Sequence, residues 1–222
     1  IGELKSIHVK CITETSWFDN YVQQQDFKKA GGALVQQYDV KFSHTGVKEG
    51  FEGDNAGGYS ALIEFEFMNG DRKKVLLDTG WEGIDAMLRS GEIDTLIISH
   101  DHYDHYWGIQ TTLQWKPDIT LYIPDSFRKE SYQLLSGADF PKPPISNTVP
   151  FKGELKKFAL KKVHKIFPGV SLVAFDCPCG RGVFGEEVLV CNVAGKGLVT
   201  ISGCCHMGLL SLLNFTKNNF IG

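Results

Sequence analysis

The feature that most constrains this chain is a cluster of potential metal ligands at residues 99–105, which read Ser-His-Asp-His-Tyr-Asp-His. The cluster places three imidazoles and two carboxylates within six consecutive residues, directly after the apolar run Ile93–Ile98. Imidazole nitrogen and carboxylate oxygen suit zinc, iron or manganese. Because several such ligands at the end of a strand can converge on one or two ions, the cluster predicts a metal site.

The spacing His-x-His-x-Asp-His indicates how the ligands divide between ions. In an extended segment side chains alternate, so His100, His102 and Asp104 would share one side. His105 would then point elsewhere unless the chain turns. This arrangement favours two adjacent ions, one held by His100 and His102 and the other by Asp104 and His105.

Three segments of the chain resemble the metallo-β-lactamase superfamily. They are the ligand run His100–His105, the Leu-Leu-Asp-Thr-Gly segment at 76–80 and the Gly-Cys-Cys-His run that ends at His206. The last run resembles the Gly-Cys-x-His motif of a branch that includes proteins similar to dihydropterin-linked ribofuranosylaminobenzene phosphate synthases. The resemblance runs from about Gly57 to the C-terminus. It implies an α/β fold, an αββα sandwich of two mixed β-sheets flanked by helices.

The resemblance also implies roles for residues outside the ligand run. His206 would complete a first metal site with His100 and His102, and Asp78 would lie beside the metal loop and orient a ligand histidine or the loop backbone. The second site would hold only Asp104 and His105.

Two departures from the family pattern affect that second site. Many members supply a bridging aspartate where this chain has Cys204 and Cys205, and the branch carries a further histidine on a strand that would lie beyond residue 222. We therefore expect waters, or a thiolate from Cys204 or Cys205, to fill the shell of the second ion.

Length and pattern predict a single domain over residues 1–222. A chain of this size buries roughly 70% of its unfolded surface, which is enough for a self-sufficient core. Residues 13–51 are irregular but rich in aromatics, which indicates a long loop region or an insertion rather than a linker. Because the sequence begins with Ile1 rather than Met, we expect that an N-terminal segment is removed or omitted. The protein is then either cytoplasmic or exported.

The composition of the chain limits the classes of partner that we expect it to bind. The formal net charge of −3 gives no electrostatic footprint for nucleic acid or an anionic membrane, and no apolar run approaches the ~20 residues of a membrane span. We therefore expect a small-molecule substrate. The six cysteines form no recognisable disulfide framework, and the spacing of Cys177 with Cys179 and of Cys204 with Cys205 is unfavourable for a four-thiolate zinc site.

The resulting hypothesis is a metal-dependent hydrolase of an ester, amide or phosphoester substrate, with one or two zinc ions, or iron or manganese. A three-histidine zinc site leaves an open position at which the pKa of water falls to about 7. Asp104 would hold or orient that nucleophile as the catalytic carboxylate. The alternatives are a group-transfer enzyme acting on a pterin or phosphosugar, and a non-catalytic metal-binding or sensing module.

Overall fold

The computed structural model describes residues 2–13, 59–80, 92–106, 108–135, 149–177 and 183–220, without the side chains of Thr13, Tyr103, Asp104 and Leu134. Apart from Thr13, the predicted insertion at 13–51 lies outside the described residues. No helix in these ranges is long and apolar enough to cross a membrane. The strands are β1 (Leu4–Thr13), β2 (Ser60–Phe67), β3 (Arg72–Leu77), β4 (Ile93–Ile97), β5 (Thr120–Pro124), β6 (Leu155–Phe158), β7 (His164–Phe167), β8 (Val170–Cys177), β9 (Val183–Val193) and β10 (Gly197–Ser202). The helices are α1 (Tyr103–Tyr106), α2 (Ile109–Trp115), α3 (Lys129–Leu135) and α4 (Leu209–Asn219).

The strands form one hydrogen-bonded path in the order β6-β5-β4-β3-β2-β1-β9-β8-β7, and β10 also pairs with β9. Strands β1 to β3 are antiparallel, whereas β3 to β6 are parallel. Strands β7 to β10 pair antiparallel within the described ranges. The path crosses from β1 to β9 where Leu4 pairs with Val193. The strands therefore divide into a first half, β1–β6, and a second half, β7–β10.

Three clusters of buried side chains lie between the layers of the fold. The central cluster includes Leu77 and Ile97 from the first half and Leu172 and Leu189 from the second. Another cluster joins the first half to α2 and α3, and a third joins the second half to α4. The layers therefore run helix, sheet, sheet, helix. The predicted αββα sandwich is confirmed.

The parallel strands β3, β4 and β5 determine where the ligands lie, because their carboxyl ends meet at one edge of the sheet. Asp78 directly follows β3, and His100 follows β4 within three residues. The ligand run does not continue as an extended segment, because β4 ends at Ile97 and α1 begins at Tyr103. The extended geometry expected for residues 100–104 is therefore wrong. The chain turns instead, with the amide of His105 donating to the carbonyl of His102 at 3.0 Å.

The central cluster supplies a test of the fold. Leu189 is 1% exposed between the two halves, so the Leu189→Ala variant should lose about 2–5 kcal/mol in free energy of unfolding. Leu210 is 77% exposed on α4, and the matched Leu210→Ala variant should change it by no more than about 0.5 kcal/mol. Denaturant unfolding measures both values. Equal losses in the two variants would contradict this assignment of the core.

Candidate metal centre

Four imidazole rings meet at the carboxyl edge of the first half. The ring centroids of His100 and His102 are 4.6 Å apart, and that of His206 lies 4.7 Å from His100 and 4.9 Å from His102. The ring of His105 lies 4.1 Å from that of His100. Ligand nitrogens of His100, His102 and His206 all lie within 4.8 Å of one another. The fold thus brings together the four histidines that the sequence singled out.

Asp78 organises one side of this cluster. Its side chain is fully buried, and its backbone has the left-handed φ of +58°. Its carboxylate accepts hydrogen bonds from the Ser99 amide at 2.6 Å, the Ser99 hydroxyl at 2.7 Å and His105 Nδ1 at 2.6 Å. Burial raises the pKa of Asp78, and the hydrogen bonds from His105 and Ser99 oppose that rise. Asp78 thus accepts hydrogen bonds from a histidine and from the loop backbone, and its role beside a metal stays a prediction.

The hydrogen bonds of Ser99 define the tautomer of His100. The single hydroxyl proton of Ser99 goes to Asp78, so its oxygen accepts from His100 Nδ1, which lies 2.9 Å away. The remaining nitrogen of His100, Nε2, is buried and has no hydrogen-bond partner among the described residues. Burial, together with the neighbouring histidines, holds the pKa of His100 well below its ordinary value. His100 therefore presents a neutral nitrogen lone pair to the cluster.

Glu186 organises the opposite side of the cluster, and the sequence analysis missed it. Its buried carboxylate accepts from the amides of Cys204, Cys205 and His206 at 3.0, 2.6 and 2.7 Å. It also accepts from the Ser202 hydroxyl at 2.9 Å and from His206 Nδ1 at 2.8 Å. Burial alone would raise the pKa of Glu186, but the hydrogen bonds from His206 and Ser202 hold it below its ordinary value.

Three of the four histidines are hydrogen-bonded in the same way. His100, His105 and His206 are each hydrogen-bonded through Nδ1, to Ser99, Asp78 and Glu186 respectively. The proton of each ring is therefore on Nδ1 and the lone pair on Nε2, and in His105 this Nε2 faces Cys204 Sγ at 3.2 Å. Polar partners of this kind fix the ring orientation and the tautomer of metal-binding histidines and increase their basicity. The histidine cluster thus has the support that a metal site requires.

An ion pair fixes the ligand loop from outside. Arg128, just before α3, donates from Nε to the Asp101 carboxylate at 2.6 Å and from an Nη to the Asp101 carbonyl at 2.7 Å. Asp101 lies between His100 and His102 in the sequence, and its side chain is fully buried. Removing either partner would leave a buried charge or an unfixed loop, so this pair restrains the backbone that carries both histidines.

The sulfur of Cys204 lies beside a predicted ligand. Its Sγ lies 3.2 Å from His105 Nε2, and ligand atoms of His100, His105 and Cys204 lie within 4.8 Å of one another. Cys191 is buried in the central cluster, where burial raises its pKa to about 12. Cys177 is buried as well. Cys179 lies outside the described residues.

Asp104 was expected to be both a ligand and the catalytic carboxylate. It belongs to α1, one residue before His105, but its side chain lies outside the described part of the chain. Its role stays a prediction.

A second buried acid, Glu187, directly follows Glu186 in β9. Its amide donates to the Ser99 carbonyl at 2.7 Å, while neither carboxyl oxygen has a hydrogen-bond partner within the described ranges. Burial raises the pKa of Glu187 well above its ordinary value, and the nearby charge of Asp78 adds to the rise. The pKa values of the adjacent Glu186 and Glu187 are therefore shifted in opposite directions.

The first prediction from this site concerns Glu186. In the Glu186→Gln variant an amide NH₂ replaces one carboxylate oxygen and faces donors of the 202–206 loop, so hydrogen bonds to His206 and its neighbours are lost. We expect about a 10–100-fold loss of metal affinity, measured by competition with a chromophoric chelator. Glu154→Gln removes a carboxylate that is ion-paired with Lys156, and serves as the control. Equal affinities in the two variants would contradict the proposed support of His206.

The second prediction concerns pH. Glu187 has a folded pKa above its unfolded value, so folding takes up a proton once the pH exceeds that unfolded value. The resulting destabilisation grows with pH, by at most about 1.4 kcal/mol per unit, until the folded pKa is reached. The Glu187→Gln variant lacks this term and should gain stability over the parent at pH 8 relative to pH 5. Denaturant unfolding of the metal-free proteins measures the difference, and a constant difference across that range would refute the argument.

The sequence of the chain is also similar to known proteins. Residues 54–178, more than half of the chain, match the model of the metallo-beta-lactamase superfamily. A curated relative is the 7,8-dihydropterin-6-methyl-4-(beta-D-ribofuranosyl)-aminobenzene-5'-phosphate synthase of Methanocaldococcus jannaschii, which is 25% identical, with 70% of this chain and 63% of that protein covered. The chain thus spans less than two thirds of the length of this relative.

Solved structures similar to the chain include two metallo-beta-lactamases. A B3 enzyme with an active-site glutamic acid is 22% identical, with a TM-score of 0.45 and 66% of this chain and 55% of that one covered. The native enzyme of Legionella gormanii is 19% identical, with a TM-score of 0.41 and 64% and 56% covered. The resemblance seen in the sequence, including its synthase-containing branch, is confirmed by the family model and the curated relative. On the family-model match, the chain belongs to the metallo-beta-lactamase superfamily.

Proposed function

We propose that this protein is a metal-dependent hydrolase of a small-molecule ester, amide or phosphoester. One observation carries the proposal: ligand nitrogens of His100, His102 and His206 lie within 4.8 Å of one another, and Ser99 and Glu186 hold the rings of His100 and His206 through Nδ1. Membership of the superfamily supports a reaction at such a centre.

The donor set fits a divalent transition metal. The buried Nε2 of His100 has no hydrogen-bond partner among the described residues, and such an atom is costly to bury unless it binds something. A set of imidazole nitrogens suits zinc, and also iron or manganese. We propose that His100, His102 and His206 hold a zinc ion, and that Asp104 and His105 belong to an adjacent second site. A bound ion would supply Lewis-acid activation of water and of the substrate oxygen.

The chain's own residues prepare this chemistry. Asp78 and Glu186 keep the rings of His105 and His206 in one orientation, so little reorganisation is needed at the moment of reaction. The low pKa of His100 keeps that ring neutral at physiological pH. Asp104, which precedes His105 in α1, is the proposed carboxylate that orients the attacking water and accepts its proton.

A second candidate function is group transfer to or from a pterin or phosphosugar. The observation that favours it is the 25% sequence identity with a curated relative that is named a dihydropterin-linked aminobenzene phosphate synthase. The two candidates differ in the acceptor, which is water in hydrolysis and an organic nucleophile in transfer. Incorporation of ¹⁸O from labelled water into the product therefore distinguishes them.

The experiment that tests the proposal measures metal content and turnover together. The His102→Ala variant removes one of three proposed histidine ligands, so it should lose most of its metal and most of its activity on chromogenic esters and phosphodiesters. The control is His8→Ala, since His8 lies exposed on β1. Metal retained at the parental stoichiometry in the His102→Ala variant would overturn the ligand assignment.

The same experiment separates an enzyme from a metal-binding module. Metal bound at full stoichiometry, without turnover of esters, amides, phosphoesters or pterin-linked phosphosugars, would instead support a binding or sensing role.

A further inference from the structure

We propose that Cys204 is a metal ligand, and that with His105 it gives a second site, beside the three-histidine site, one sulfur donor and one nitrogen donor. The proposal rests on the proposed metal-dependent function and extends it to the ligands and the metal preference of the second position.

The distances fit a pair of ligands on one ion. Zinc–nitrogen and zinc–sulfur bonds of about 2.0 and 2.3 Å at a tetrahedral angle place the two donors about 3.5 Å apart. The observed separation of His105 Nε2 and Cys204 Sγ is 3.2 Å, and both atoms lie within 4.8 Å of a nitrogen of His100, so the second site adjoins the first. His105 Nδ1 is hydrogen-bonded to Asp78, so its Nε2 has the lone pair that a metal requires.

The backbone holds Cys204 at this place from two sides. On one side, Glu186 accepts the Cys204 amide hydrogen at 3.0 Å. On the other, Gly203 packs so closely against the ligand loop that an added Cβ would lie 2.4 Å from Ser99 Oγ and 3.4 Å from Asp78 Oδ2. A larger residue at 203 would push the 202–206 loop away from His105. The sulfur is thus positioned by the same two carboxylates that orient the histidines.

Burial distinguishes the two sites. The neighbouring three-histidine site includes the fully buried His100, whose Nε2 has no hydrogen-bond partner in the part of the chain that the structure describes. Cys204 itself is exposed, so the centre is open to solvent and to an incoming ion on the sulfur side. When the ion binds, the thiol proton is released to water and a metal–sulfur bond replaces the S–H bond.

The neighbouring Cys205 has a different environment and offers a matched control. Its backbone has the left-handed φ of +58°, and its amide donates to Glu186 at 2.6 Å. The side chain packs against the cluster between the second half and α4. Because the two cysteines are adjacent and differ in what their sulfurs face, one substitution at each position isolates the effect of the metal–sulfur bond.

The metal preference follows from the donor set. A thiolate favours zinc, cobalt or cadmium over manganese or magnesium, since soft sulfur binds hard, oxygen-preferring ions weakly. We therefore expect the second equivalent of metal to be taken from zinc or cadmium solutions, and to be nearly absent when manganese is the only ion supplied.

The test loads the metal-free full chain with Co²⁺ and records its absorption. The parent protein and Cys205→Ser should both show the near-ultraviolet band of sulfur-to-cobalt charge transfer, and Cys204→Ser should lack it. The visible bands of cobalt bound to histidines should persist in all three proteins. A near-ultraviolet band retained in Cys204→Ser, or absent from the parent while the visible bands are present, would overturn this proposal and leave the three-histidine site intact. Loss of the visible bands in the parent would instead contradict the proposed metal-dependent function.

A second measurement does not depend on spectroscopy. Bound Zn²⁺ should protect Cys204 from alkylation by iodoacetamide, whereas the exposed Cys11 should react equally with and without metal. Peptide mass spectrometry reads both positions in one sample. Equal alkylation of Cys204 in the zinc-loaded and the metal-free protein would contradict the metal–sulfur bond, even if a fold defect affected the variants.

Discussion

The arrangement of the whole site depends on the burial of one carboxylate, that of Asp78. Removing an ionised carboxylate from water costs several kcal/mol unless hydrogen bonds replace its hydration. Ser99 provides two of these hydrogen bonds and His105 the third. They tie the end of β3 to the loop after β4 and to α1, so satisfying Asp78 also determines where the ligand residues lie. The left-handed backbone at Asp78, unusual for a residue other than glycine, turns the carboxylate toward these donors.

Glu186 performs the corresponding role in the second half of the sheet. It gathers amides of the 202–206 loop and the ring of His206, as Asp78 gathers Ser99 and His105. The candidate metal centre thus lies between two carboxylates, one from each half of the sheet. A divalent ion held by histidines from both sides would join the two halves, which otherwise pair directly where Leu4 meets Val193.

The ligand types could be predicted from the sequence because the His-x-His-x-Asp-His run and the Gly-Cys-Cys-His run contain closely spaced residues of the types that bind metals. The supporting residues could not be predicted to the same extent. The apolar run of residues 188–193 covers only the second part of β9, which begins at Val183 and so includes Glu186 and Glu187. Two adjacent acids before an apolar run are typical of a solvated strand end. Their burial results from packing against the 202–206 loop and against Ser99, contacts that no local pattern specifies.

The local geometry of the ligand run was also mispredicted, for a related reason. Alternation of side chains assumes that the strand continues, but hydrogen bonds from the Asp78 amide to Ile97 and from the Thr79 amide to His105 show that the chain turns to close around Asp78. A contact between residues 26 positions apart in sequence thus overrode the strand period. Asp101 is another case, since only the fold shows that Arg128 faces it.

The charges around the centre explain why the pKa values of the two adjacent glutamates are shifted in opposite directions. Asp101 is matched by Arg128, Asp78 by donors from Ser99 and His105, and Glu186 by donors from its loop. Glu187 has no such donor within the described residues, and Asp78 already places a negative charge nearby. A further ionised carboxylate there would be buried without compensation, which favours the protonated form of Glu187 and raises its pKa. The side chains around the centre thus carry the negative charge that a divalent ion requires, and each ionised carboxylate among them has its own hydrogen-bond donors or cation.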